Sequence, residues 1–278
     1  MIMTTLSVVT LASCTPVLQP TVPTLDLYVL DVGKADCILV QFDSKWMLID
    51  AGLEETSAAV VGTMRALGIQ ALLYAVATHP DKDHIGGMAA ILSAFPTRGL
   101  VECPMRLDNK PSRSMRQALS SMGIPSYTMR SGDSWTVGEL SVRVLAPGPT
   151  ALSFNDENEA SLVLMLEYGS TRIMLAADEQ LGSEREMLST YTDLHADVLK
   201  VAHHGSNKST SQLFLEAVRP AIAIISTGER IDGKDGDPLP DPRTLERLES
   251  IGARALRTDT DGMIHIQSDG KTVSIIRD

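Results

Sequence analysis

From residue 25 onward the chain alternates between strand-like and helix-like hydrophobic patterns. "LDLYVLDVG" carries the period-two alternation of a half-buried strand, and "CILVQF" and "KWMLIDAG" follow at hairpin-like spacing. Residues 54–67 repeat apolar positions at helical spacing and stop at Gly68, which predicts a helix. "ALLYAVAT" is a continuous apolar run, a buried strand that leads directly into His79. Residues 88–95 predict a helix ended by Pro96, because a proline cannot continue it. The stretch 97–130 is mixed, with a helix predicted around 112–122. Strands return in "LSVRVLAP", "ASLVLMLEYG" and "TRIMLAAD", followed by a helix over 179–188. "ADVLKVAHHGS" reads as a strand and its exit, 209–218 as a helix, "AIAIIST" as a strand and 242–250 as a helix. "RALRT", "MIHIQS" and "TVSIIR" close the chain as short strands.

Grouped strands with helices between them, arranged in two halves, predict two sheets packed face to face with helices outside. No repeat or low-complexity linker interrupts this order, so residues 25–278 are expected to form a single mixed α/β domain. The composition agrees with a soluble core: of 278 residues, 44% are hydrophobic and 21% charged. Aromatics make up only 4%, and the formal net charge is −11, which together exclude a broad basic or base-stacking surface for nucleic acid. A phosphate held locally in one cleft stays compatible with that charge. No apolar run reaches the roughly 18 residues of a membrane-spanning helix.

The first 24 residues read differently. A short apolar stretch ends in Leu11-Ala12-Ser13-Cys14, and this tetrad resembles a bacterial lipoprotein signal in which Cys14 would be lipidated. The Thr/Pro/Gln/Val tract that follows suits a tether, since its prolines discourage regular packing. No Lys or Arg precedes the apolar stretch, where a secretory signal carries positive charge. The expectation is a leader and tether over 1–24 that places the protein outside the cytoplasm, anchored to a membrane or free in the periplasm or outside the cell. Failing export, the protein is cytoplasmic. Only Cys37 and Cys103 remain, too few for a disulfide framework or a thiolate metal site.

Candidate chemistry gathers where strands end. "HPDKDHIGG" puts His79, Asp81, Asp83 and His84 into one turn; "MLAAD" ends in Asp178; "LKVAHHGS" carries His203 and His204. Strand exits have a backbone fixed by the sheet, which is what a metal or catalytic site requires. Taken alone, "HPDKDH" is equally compatible with a capped turn in which Asp81 and Asp83 accept backbone hydrogen bonds and Gly86-Gly87 supply turn geometry. Four of the six histidines fall in these two clusters, which favours a metal site. In a tight loop His79 and Asp81 can point one way and Asp83 and His84 the other, feeding two ions that Asp178 can bridge. Zinc suits the imidazoles, and the carboxylate share also admits manganese, so one or two divalent ions are expected. No Ser-His-Asp or thiol nucleophile stands out, Cys37 lying in a strand reading and Cys103 beside Pro104.

"HPDKDHIGG" resembles the H-x-[HD]-x-D-H signature of the metallo-β-lactamase superfamily, in the aspartate variant used by the hydrolase domain of ComEC-type competence (DNA-uptake) proteins. "LDLYVLDVGKADCILVQ", "WMLIDAG", "NEASLVLMLEYG", "IMLAAD", "ADVLKVAHHGS" and "RTDTDGMIHI" are similar to further motifs of that group, in the same order from about residue 25 to the C-terminus. The resemblance implies a four-layer αββα sandwich with a metal site at one edge of its sheets. It implies His79 and Asp81 at one ion, Asp83 and His84 at a second, Asp178 as bridge, and His204 or His203 completing the second site. Asn158 stands where many relatives have a further histidine, so the first site is expected to be loosely held or the centre to be mononuclear. Asp50 is expected to order the loop by hydrogen bonds, and Asp36 is retained near the site. Lys34 and Ala35 replace the group's usual Gln and Gly, and Asp237 replaces a histidine in Gly236-Asp237-Pro238. Asp237 therefore stands as a possible metal or substrate residue.

The chemistry implied is hydrolysis by a metal-activated water, with Asp83 or Asp178 orienting it and taking its proton. The expected substrate is a phosphodiester, either nucleic acid or an envelope component. Ser206 and Lys208 are its candidate phosphate contacts, because they precede a predicted helix N-terminus. Plain capping of that helix by Ser209 or Thr210, with Lys208 solvated, is the competing reading. The alternatives are a lactone, thioester or other ester hydrolase, and a metal-binding protein without turnover. Nothing in the chain predicts a protein partner.

Overall fold

The structure is a computed structural model that describes residues 23–229 and 238–277. Cys14, nearly all of the expected leader and Asp237 lie outside the described residues.

The strands of one sheet are β1 (Leu25–Val29), β2 (Ile38–Phe42), β3 (Lys45–Ile49), β4 (Tyr74–Ala77), β5 (Leu100–Glu102) and β6 (Ser126–Thr128). The second sheet contains β7 (Ser134–Val137), β8 (Leu140–Ala146), β9 (Val163–Tyr168), β10 (Thr171–Leu175), β11 (Val198–Lys200), β12 (Ile222–Ile225) and β13 (Arg254–Arg257). The chain then returns to the first sheet as β14 (Ile264–Ser268) and β15 (Val273–Ile276). The strand orders are β15-β14-β1-β2-β3-β4-β5-β6 and β13-β12-β11-β10-β9-β8-β7. Each sheet is antiparallel along one half and parallel along the other, the change coming at β3–β4 and at β10–β11.

Alternation in the strands explains the layering. Leu27 pairs with Val40 and with Ile266, and all three point into the layer between the sheets. Leu166, Ile173 and Val198 meet them from the second sheet. The opposite faces are apolar too. Leu39, Leu48 and Ala75 pack under helices that contribute Met64, Ile91 and Met115, while Met165, Met174 and Leu199 pack under helices carrying Met187, Phe214 and Leu248. Three apolar layers separate four layers of secondary structure, the αββα arrangement.

Helix 242–250 forms as its pattern predicts, with Asp241 capping Arg243 N–H at 2.8 Å. Others shift. Residues 54–56 form a 3₁₀ turn before the helix Ser57–Ala66. The helix expected over 179–188 runs Leu181–Thr190, because the Glu159 carboxylate accepts from Gly182 N–H (2.9 Å) and Ser183 N–H (2.6 Å) and sets its start there. The helix expected over 209–218 is Gln212–Val218, capped by Ser211, whose hydroxyl accepts from Phe214 N–H at 3.2 Å. Ser209 is instead buried and donates to Glu179 O at 2.6 Å. Strands β5, β6 and β7 were not legible in the sequence; they are short, and β6 is exposed along its whole length. Among the described residues, no helix is long and apolar enough to cross a membrane.

Candidate metal centre

The exits of β4, β10 and β11 are tied together before any side chain is considered. Ala176 N–H donates to Lys200 O at 3.3 Å and His203 N–H to Ala177 O at 2.9 Å, joining the ends of β10 and β11. Leu162 N–H donates to Thr78 O at 3.0 Å, tying the chain that enters β9 to the exit of β4 in the opposite sheet. The turn after His79 is a single helical turn, Lys82–Ile85, docked by Ala51 N–H on His84 O (2.6 Å) and Asp36 N–H on Asp83 O (3.0 Å). Gly86 and Gly87 have ordinary negative φ of −57° and −81°, so their expected role in turn geometry is not the observed one. Their role is close approach: a Cβ at Gly86 would collide with Lys82 O and one at Gly87 with Ala51 O. Asp50, Ala177, His203 and His204 all hold positive φ between 48° and 57°, a concentration of strained backbone around the pocket.

Side chains from these exits converge. His79, His84 and Asp178 form one group of ligand atoms mutually within 4.8 Å, and Asp83, His84 and His204 form a second. Rather than pointing opposite ways, the residues of the turn share one pocket, with the His79 and His84 ring centroids 4.0 Å apart. His84 Nε2 lies 3.2 Å from Asp178 Oδ1, and His204 Nε2 lies 3.7 Å from both Asp178 Oδ2 and Asp83 Oδ2. His203 Nε2 is 3.8 Å from Asp178 Oδ2 and half-buried, so His204 is the one grouped with Asp83 and His84. Asp81 Oδ2 is 3.9 Å from His79 Nε2. The Asp81 side chain makes no capping hydrogen bond, which removes the capped-turn reading for that residue.

Asp50 sets the imidazole tautomers. Its carboxylate accepts from His84 Nδ1 (2.6 Å), Thr78 Oγ1 (2.6 Å) and Thr78 N–H (2.9 Å). Since the Thr78 hydroxyl proton goes to Asp50, its oxygen accepts from His79 Nδ1 at 3.2 Å, which leaves His79 Nε2 as a free lone pair. His204 Nδ1 donates to Ser226 O at 3.0 Å with the same consequence. Asp36, from the opposite sheet's loop, takes the buried Lys200 ammonium and lies 3.7 Å from His204 Nδ1.

The electrostatics follow from burial and neighbours. Burial pushes the Asp178 and Asp83 carboxyls up, but the imidazoles beside them, His84 and His204 foremost, outweigh it and hold both well below the usual range. Burial lowers His84, yet Asp178 and Asp50 more than compensate and raise it well above its ordinary value. His79, buried and next to His84, is pushed down to about 3. Asp81 rises to about 6 through burial and the carboxylates near it, partly offset by His84. Asp36 is lowered, its burial overcome by Lys200.

These residues fit a divalent cation. Nε2 of His79, His84 and His204 and Asp178 Oδ1 are buried and make no hydrogen bond among the described residues. Several buried imidazole and carboxylate atoms aimed at one space without partners are what a cation satisfies. Asn158 also carries a buried Oδ1 without a hydrogen bond among the described residues, in the loop joined to Thr78. Lys208 is exposed, and the Ser206 hydroxyl accepts from Lys208 N–H at 3.3 Å as a turn bond. Thr78, Ser226 and Lys200 were not singled out from the sequence; a Thr before the first ligand histidine is the one signal that was available. Neither thiol competes as a nucleophile: burial raises Cys103 to about 12 and Cys37 further still.

Residues 30–229 match the family described as the metallo-beta-lactamase superfamily. The chain is 32% identical over 202 residues to ComE operon protein 3 of Bacillus subtilis, covering 72% of this chain and 25% of that protein. It is 28% identical over 252 residues to Recombination protein 2 of Haemophilus influenzae, covering 88% of this chain and 29% of that one. The chain therefore spans only about a quarter to three tenths of the length of these relatives. The fold is shared with the metallo-beta-lactamase fold protein YhfI from Bacillus subtilis, at a TM-score of 0.58 and 12% identity over 88% of this chain and 100% of that one. The paired sheets, the ligand-bearing strand exits and a family match over most of the chain lead to one conclusion: this protein belongs to the metallo-beta-lactamase superfamily.

Proposed function

We propose that the chain is a metal-dependent hydrolase that cleaves a phosphodiester, in nucleic acid or in a phosphorylated envelope component. The observation that carries this reading is the convergence of His79, His84, His204, Asp83 and Asp178, with Nε2 of the three imidazoles and Asp178 Oδ1 buried and without a hydrogen-bond partner among the described residues. One or two divalent ions held there would supply Lewis acidity and bring the pKa of water towards neutrality; zinc suits the imidazoles and manganese the carboxylates. His79, His84 and His204 would hold them together with Asp178, which lies 3.2 Å from His84 Nε2 and 3.7 Å from His204 Nε2, and Asp83 or Asp178 would accept the proton of the attacking water. Asp50 and Ser226 keep the imidazoles in register. Asp36 and Lys200 brace the loop behind His204.

The phosphodiester part rests on the electropositive character an ion gives the pocket and on similarity to proteins named for competence and recombination. Lys208 and Ser206 remain the candidate phosphate contacts. The experiment is metal analysis of the purified chain, then hydrolysis of bis-p-nitrophenyl phosphate with added Mn²⁺ or Zn²⁺. Turnover that disappears in Asp83→Ala supports the reading. Metal bound without turnover on this ester, on DNA or on choline-phosphate esters removes the phosphodiester assignment, and a lactone or thioester panel then decides between an ester hydrolase and a non-catalytic metal protein. Anchoring through Cys14 is proposed alongside; equal soluble fractions for the wild type and Cys14→Ser would remove it.

A further inference from the structure

Lys34 lies in the loop between β1 and β2, and its backbone is held independently of its side chain. Lys34 N–H donates to Glu229 O at 3.4 Å, and Gly33 packs so closely on Gly228 that a Cβ on Gly228 would lie 2.9 Å from the Gly33 Cα. The ammonium reaches the pocket and donates to Asp83 Oδ2 at 3.3 Å, with the two side chains only 15% and 18% exposed. That same oxygen lies 3.7 Å from His204 Nε2, and Asp83 with His84 and His204 makes up the second ligand group. A carboxylate oxygen held by an ammonium is not freely available to a metal, and two cations sharing one oxygen repel strongly where little water screens them. The first group, His79, His84 and Asp178, has no ammonium ion-paired with Asp178 among the described residues.

We propose that Lys34 is a tethered competitor for the second ion. The single Nε2 lone pair of His84 serves only one ion at a time; with His84 taken by the His79–His84–Asp178 position, a second ion is left Asp83, His204 and the Asp178 oxygen 3.7 Å from His204 Nε2. The Lys34 ammonium holds Asp83, so this second position binds a divalent cation more weakly than the first and fills only when the lysine lets go. The inference rests on the metal-dependent reading above and assigns to this chain's own lysine the control of how many ions the centre keeps.

The test uses the full chain, Lys34→Gln and Lys34→Arg, titrated calorimetrically with Zn²⁺ alone and assayed for bound zinc after dialysis. Gln keeps a polar side chain without the charge, and Arg keeps the charge. The expected result is a tight and a weak step in the wild type. The weak step tightens by about tenfold or more in Lys34→Gln, stays weak in Lys34→Arg, and the tight step does not move. Thermal unfolding checks that each variant is folded, and Lys34→Met provides a second uncharged variant. A weak step with the same constant in the wild type and in both uncharged variants overturns the proposal, as does tight binding of two ions by the wild type. These outcomes leave the hydrolase reading standing, whereas a wild type that binds no zinc at all removes both.

Discussion

Asp178 and Glu179 are neighbours in the chain and both are buried, yet their carboxyls are driven in opposite directions. Asp178 sits among the site's imidazoles, and the charge of His84, His204 and His203 outweighs its burial and lowers it. Glu179 is pushed well above the usual range by burial, with Glu184, Glu159 and Asp178 adding to the rise. Both Glu179 carboxylate oxygens lack a hydrogen-bond partner among the described residues, whereas Glu184 accepts from Ser211 N–H at 3.1 Å and Glu159 from two helix N–H groups. The comparison teaches that depth alone does not decide ionisation. Partners do, and the partners here are set by which face of one turn each side chain leaves.

The largest effect should come from emptying the imidazole side of its shared member. His84 belongs to each candidate ligand group, and in His84→Ala the proposed hydrolysis, read on the phosphodiester probe, should fall by about three orders of magnitude, the cost of losing several kcal/mol of charge stabilisation. Initial rates under saturating Mn²⁺ or Zn²⁺ check this, and near-wild-type rates would mean the pocket is not the reacting centre. Asp50→Ala leaves the ligands in place but removes the acceptor that orients His84 and, through Thr78, His79. Metal affinity should drop by about 10- to 100-fold, read by competition with a chromogenic chelator.

Glu179→Gln sharpens the other side. A carboxyl raised on folding contributes stability that is full below its unfolded value, near ~4.3, and that is lost as pH climbs towards the folded value. Gln removes that titration. The variant should therefore gain on the wild type as pH rises from 5 to 8, by at most about 1.4 kcal/mol per pH unit, measured as the difference in Tm in chelator-treated protein. A constant difference across that range would show that Glu179 does not titrate differently on folding. The smallest effect is expected from Ser211→Ala, which removes the cap of helix Gln212–Val218 but leaves the Ser211 N–H that serves Glu184. It should cost about 1 kcal/mol in denaturant unfolding and leave metal affinity unchanged.

Legibility in the sequence tracked the range of the interaction responsible. Strands β1 to β4 and β8 to β12, and the helix Pro242–Ser250, were readable because alternation, helical spacing and a capping aspartate are local signals. Strands β5 to β7 were not, since strands of three or four residues, whether buried throughout like β5 or exposed like β6, are too short to carry a pattern of their own and form by pairing with a neighbour. The start of helix Leu181–Thr190 was misplaced for a related reason: Glu159, which caps it, lies far back along the chain.

The candidate site divides the same way. The sequence by itself determined which residue types gather at strand exits, and the motif order that marks the superfamily, because ligand identity and spacing are written into single turns. Only the tertiary structure decided that His84 lies in both groups, that His204 rather than His203 joins Asp83, that Asp50 orients two imidazoles, and that Lys34 and Lys200 reach carboxylates from distant segments. Those facts depend on how two sheets and their loops are brought within a few ångströms of each other, and charge and hydrogen bonding act over that distance whatever the separation along the chain.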